Sequence, residues 1–171
     1  GGEYFIDTFR PVPLRSRVVC GRSILDEAGS QVEVINGGAS ESWLVTLVKQ
    51  CISAGSVLIF CLTRKLAEVT AETVSKALPC CDKKLLSERE EAMLQSESSG
   101  RVHGKLKFCF RNGVGFHHGG LMTEERETIE RCFKSGMISV ICCTSTLAAG
   151  VNLPARTVVI RSTRIGKEQL S

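Results

Sequence analysis

The chain has 171 residues, 43% of them apolar and 23% charged, with a formal net charge of +4. This composition excludes a disordered or collagen-like chain, and the length fits one domain that buries roughly 70% of its unfolded surface. So small a charge permits a polyanionic partner without demanding one. In chain order, residues 1–15 read as a lead-in linker, because Arg10-Pro11-Val12-Pro13-Leu14 cannot be helical. Residues 16–35 predict two short antiparallel strands, Arg17–Cys20 and Gln31–Ile35, around a polar turn at Gly29. Ser40 is placed to cap a helix over 41–54, with Trp43, Leu44, Leu47, Val48 and Cys51 at helical spacing. Val57–Leu62 is a continuous apolar run that suits a strand buried on both faces. Thr63 then precedes a helix over 64–78, which Pro79 stops.

Residues 80–112 carry mixed charge and predict two helices parted near Ser98-Ser99-Gly100. Val114–His117 is a short strand. Thr123 reads as the N-cap of the next helix, Glu124 and Glu125 favour its positive end, and Gly136 ends it. Ile138–Cys143 and Thr157–Arg161 complete the strands. Alternating strands and helices predict an α/β fold with a parallel sheet flanked by helices.

The nine cysteines are odd in number and irregular in spacing, which argues against a disulfide framework. No Cys-x-x-Cys occurs, so no metal site is expected. Cys61, Cys142 and Cys143 lie in apolar runs and behave as small hydrophobes. The usage implies a reducing compartment, cytosol or nucleus. No apolar stretch is long enough for a membrane span. The opening Gly1-Gly2-Glu3-Tyr4 is not a signal peptide, and its lack of an initiator Met implies a fragment of a longer chain.

Ligands of open α/β sheets bind beyond the carboxyl ends of the strands. After strand 57–62 come Thr63, Arg64 and Lys65; after 114–117 come His118, Gly119 and Gly120. After 138–143 come Thr144, Ser145 and Thr146, then Gly150, Val151 and Asn152. Hydroxyls, a cation pair, an imidazole and glycines on one edge suit phosphate oxygens. Taken singly, each has a plainer use: Thr63 as a cap, Arg64 and Lys65 as a solvated helix face, the histidines as core or surface groups. No Gly-x-x-x-x-Gly-Lys-[Ser/Thr] loop is present. Asp26-Glu27-Ala28 follows only Ile24-Leu25 and precedes Gly29, so it reads as a hairpin turn rather than a magnesium-binding motif.

Several segments resemble superfamily 2 helicases. Val114–Leu121 with Glu124-Glu125-Arg126 looks like their motif IVa, the one between IV and V, and Cys143–Arg156 looks like motif V. Val57–Glu68 resembles motif IV, and Phe9–Leu14 resembles the linker entering the second motor lobe. The nearest group is the DNA helicases that include helicase Q and the helicase region of DNA polymerase theta. The resemblance implies a second RecA-like lobe over 16–171, with a variable insertion at 79–112 and truncation before motif VI. It implies a fragment of an ATP-dependent 3′-to-5′ DNA helicase of the nucleus, acting in DNA repair. ATP and Mg2+ would serve the full-length protein, and the fragment alone would bind neither and hydrolyse nothing. Partners would be single-stranded DNA and the first RecA-like lobe of the same chain. Thr63, Arg64, His118, Gly119, Thr144 and Thr146 would meet nucleic acid, and Gly150 and Asn152 would face the ATP cleft. The alternatives are an RNA helicase of the same superfamily and a non-catalytic RecA-like interaction module.

Overall fold

The computed structural model describes residues 13–37, 41–78, 82–95, 104–147, 153–161, 164–165 and 168–169. The chain divides into two compact units, Gly1–Trp43 and Leu44–Ser171. The first holds an antiparallel sheet of β1 (Val18–Cys20), β2 (Ser23–Leu25) and β3 (Gln31–Val34) in that order. Here the structure corrects the sequence reading. The two expected strands do not pair with each other, because Ser23–Leu25 lies between them, matching Val19 to Ile24 and Ile24 to Glu33. Three residues are too few to show a period, and Gly21, at φ +63°, makes a turn that the sequence hides. The Asp26 turn forms as expected: its Oδ1 accepts the N–H groups of Ala28 at 3.0 Å and Ser30 at 2.8 Å. The Arg22 guanidinium donates to the carbonyls of Ile35, Gly37 and Glu41.

The second unit is built on a four-stranded parallel sheet. Its strands are β4 (Val57–Phe60), β5 (Val114–His117), β6 (Val140–Cys143) and β7 (Thr157–Ile160), in spatial order β5-β6-β4-β7. Every residue of β5 and β6 is buried. That is why β6 reads as an unbroken apolar run, whereas β7 alternates in burial and exposes Val158 and Ile160. Regular strand structure stops short of the expected runs. β4 ends at Phe60, yet Cys61 N–H still reaches the Cys143 carbonyl at 2.7 Å. β6 starts at Val140, because Ile138 N–H bonds back to Cys132 at 3.2 Å.

The helices are α1 (Trp43–Ile52), α2 (Arg64–Ala77), α3 (Lys83–Gln95), α4 (Gly104–Arg111) and α5 (Thr123–Lys134). Ser40, the expected cap of α1, lies outside the described residues. On α2, Ala67, Thr70, Ala71 and Val74 repeat every three or four residues and are buried. Phe110 of α4 and Phe116 of β5 are wholly buried. Each such ring stabilises the fold by about 1.5–3 kcal/mol relative to exposure.

The start of α5 differs from expectation. Thr123 is its first residue, and the capping position is Met122. Thioether sulfur is a poor acceptor, so the end is held by Glu125, whose carboxylate accepts Met122 N–H at 2.9 Å. Gly136, at φ +78°, ends the helix as anticipated.

The two helices of the 79–112 stretch supply a feature that the sequence does not announce. Arg89 of α3 is 6% exposed, and its Nε donates to the Met137 carbonyl at 2.8 Å and Nη1 to the Arg111 carbonyl at 2.9 Å. It thus joins the turns that lead into β5 and β6, at the amino edge of the sheet.

Candidate nucleic-acid interface

Parallel neighbours end on the same side, so β4, β5, β6 and β7 deliver their following residues to one carboxyl edge. Thr63, between β4 and α2, is exposed and has extended backbone. Its Oγ1 accepts Leu66 N–H at 3.1 Å, so the cap is real. That bond uses a lone pair and leaves the hydroxyl proton as a donor.

Arg64 and Lys65 open α2, and the first turn holds no acidic residue. Cations here oppose the helix dipole, so the local preference is broken at this end. An anion placed there would meet both the free N–H groups and the two cations. Arg64 reaches from this helix to the turn after β5. A Cβ on Gly119 would lie 3.7 Å from its Nη2, and one on Gly120 would lie 3.6 Å from its Nη1. The guanidinium therefore covers a bare backbone surface made of two exposed glycines.

His117 and His118 both point inward, each 4% exposed. His117 Nε2 pairs with Glu130 Oε1 of α5 at 2.9 Å. Burial lowers its pKa below the ordinary 6.5, and Glu130 opposes that shift. His118 stacks on Phe116, ring centroids 5.5 Å apart, and faces Glu68 of α2. Burial lowers its pKa too, with Glu68 opposing and Arg64 reinforcing the shift. The imidazole of His118 is therefore a support beneath the turn, and its neighbours Gly119 and Gly120 form the exposed surface.

Thr144 ends β6 and is 8% exposed. Its N–H reaches the His117 carbonyl at 3.2 Å, and its own carbonyl accepts Leu147 N–H at 3.0 Å. This ties the exit of β6 to the exit of β5. Thr146 lies in the short 3-10 turn Ser145–Leu147, and its side chain is outside the described residues, as are Gly150 and Asn152. Arg161, just past β7, turns its guanidinium onto the Thr70 hydroxyl of α2. Sequence reasoning brought Thr63, Arg64, His118, Gly119 and Thr144 to one edge, and the structure gathers them there. It missed Glu68 and Glu130, since nothing in the sequence links a helix residue to a distant histidine.

The buried cysteines Cys61, Cys109, Cys142 and Cys143 offer no nucleophile here. Burial raises the Cys61 and Cys142 thiols, and takes Cys109 and Cys143 up to about 12, so all stay protonated. Among the described residues, no cluster of three His, Cys, Asp or Glu side chains is arranged to hold a metal ion, and no helix is long and apolar enough to cross a membrane. The open concavity along α5 is bordered by Glu124, Glu127 and Glu130 together with Arg131 and Lys134, so its charge is mixed and selects no polyanion.

The helicase conserved C-terminal domain family matches residues 41–166. The chain is 36% identical to a "Helicase POLQ-like" protein of Caenorhabditis elegans over 95% of its length and 19% of the relative's. It is 37% identical to "ATP-dependent DNA helicase Hel308" of Methanocella arvoryzae, over 90% of this chain and 21% of that one. With "DNA polymerase theta" of Mus musculus the identity is 34%, over 94% of this chain and 7% of that protein. The chain thus spans about a fifth or less of these relatives. With the parallel sheet and the three motif-bearing strand ends, these matches place it: the chain belongs to the superfamily 2 helicases of the POLQ-like and Hel308 group, as a RecA-like C-terminal lobe.

Proposed function

We propose that the chain is the second motor lobe of an ATP-dependent DNA translocase that runs 3′-to-5′ on single-stranded DNA, in DNA repair in the nucleus. The observation that carries the strand-binding role is the carboxyl edge, where Arg64 lies over the Gly119–Gly120 backbone beside the Thr63 hydroxyl. Such groups bind sugar-phosphate oxygens and ignore base edges, as a motor that must pass any sequence requires. Thr144 follows β6 at this same edge, and Thr146 lies two residues further along the sequence. The Methanocella relative is named an ATP-dependent DNA helicase, which supports DNA over RNA as the strand.

ATP and Mg2+ would bind in the full-length protein, and Gly150 and Asn152 are the residues that the helicase resemblance assigns to the ATP cleft. ATP hydrolysis would drive the two lobes together and apart. This lobe contributes grip on the strand, and without the phosphate loop it hydrolyses nothing alone. The test is the full-length protein carrying Arg64→Ala. Removing one charged contact to phosphate raises the single-stranded DNA needed for half-maximal ATPase about tenfold, with the saturated rate kept. An unchanged DNA requirement sinks the reading.

A further inference from the structure

His118 is held on every side. Its Nδ1 accepts the Gly120 N–H at 3.1 Å. A nitrogen that accepts carries no proton, so the neutral ring is protonated on Nε2. Nε2 stands 3.3 Å from Glu68 Oε1, out of line for a hydrogen bond but close enough for the carboxylate to favour a proton there. The other Glu68 oxygen lies 3.5 Å from Lys105 Nζ of α4. Phe116 stacks on the ring face. A Cβ on Gly120 would come within 3.2 Å of Nδ1, so turn and ring are packed too closely to move apart independently. In the other tautomer, an N–H would face the Gly120 N–H and a lone pair would face the Glu68 carboxylate. Both contacts are repulsive.

We propose that Glu68 is a positioning residue for nucleic-acid binding: it fixes the His118 imidazole with its proton on Nε2, and His118 thereby holds the Gly119–Gly120 turn in the shape that Arg64 covers. The inference rests on the carboxyl-edge reading above and adds to it a residue that itself touches no strand. Glu68 is one helical turn beyond Arg64 on α2, so one helix supplies both the cation over the turn and the carboxylate that orders the turn from beneath.

The test is the full-length protein, with ATPase titrated by oligo(dT) and a melting temperature recorded for each variant. Glu68→Ala raises the oligo(dT) concentration for half-maximal rate about three- to tenfold and keeps the saturated rate. Glu68→Gln, whose amide oxygen keeps a partial negative charge facing Nε2–H, stays within about twofold of wild type. A purely structural role predicts the reverse: a lower melting temperature and saturated rate with an unchanged half-saturation point. That result overturns the proposal, as does a Glu68→Gln shift as large as that of Glu68→Ala. Where Glu68→Ala does not fold, Glu68→Asp decides, since its shorter carboxylate withdraws from Nε2; an unchanged half-saturation point then overturns the proposal. Arg64→Ala in the same assay separates the two readings. A shift with Arg64→Ala and none with Glu68→Ala removes this inference alone, and no shift with either removes the carboxyl-edge reading with it.

Discussion

The two edges of the parallel sheet each carry an arginine, and the two are used in opposite ways. At the amino edge Arg89 is buried, with its donors committed to the Met137 and Arg111 carbonyls. At the carboxyl edge Arg64 is exposed, lies over glycine backbone, and has no hydrogen bond or ion pair among the described residues. A buried guanidinium with satisfied donors fixes structure, because removing it strands carbonyls away from water. An exposed one, placed where the helix dipole disfavours it, adds nothing to folding and is free to meet an anion.

The comparison can be broken most readily at Arg89. Arg89→Ala leaves two carbonyls without partners and a void, and should cost about 2–4 kcal/mol of stability by urea denaturation. A loss below about 0.5 kcal/mol would place Arg89 with ordinary surface residues. Gly113→Ala sharpens the same point. Its backbone sits at φ +78°, and a Cβ would lie 2.7 Å from Arg89 Nη2. We expect a loss of about 1–2 kcal/mol, measured the same way. At the opposite edge, Thr63→Ala should cost about 1 kcal/mol as a lost cap and also weaken DNA coupling. A stability loss with unchanged half-saturation would leave Thr63 a cap alone.

The smallest expected effect is a pH dependence. Both His117 and His118 have pKa values lowered by burial from the ordinary 6.5. The unfolded chain therefore binds more protons below that value. Stability is fully present above about pH 6.5 and is lost as the pH falls toward the folded pKa values. Denaturation midpoints between pH 5 and 7 should decline on the acid side, and less so in His117→Gln. A flat profile would mean that the imidazoles are better solvated than their burial implies.

Legibility in the sequence followed burial. Val57–Phe60 and Val140–Cys143 are covered on both faces, so their continuous apolar runs announce parallel strands. Their carboxyl ends and that of β5, and hence Thr63, Arg64, Gly119 and Thr144, could be placed on one edge by topology alone. Ser23–Leu25 escaped because three residues show no period, and the α5 cap was misplaced by one residue because Thr123 is the better capper by type. Contacts between distant side chains left no trace. Neither the Glu68–His118 approach nor the Arg89 bridge follows from any local pattern, since each joins a helix residue to a loop fixed only by packing.

β7 has a practical consequence for anyone who prepares this lobe by itself. It pairs with β4 on one side, and among the described residues no strand lies on its other side. Val158 and Ile160 stand 54% and 61% exposed along it. A bare backbone ladder flanked by apolar side chains is a template for another copy of itself. Light scattering of the isolated lobe should therefore climb with concentration and time. A lysine at position 158 should suppress that growth, since a charge on an open edge repels its own image.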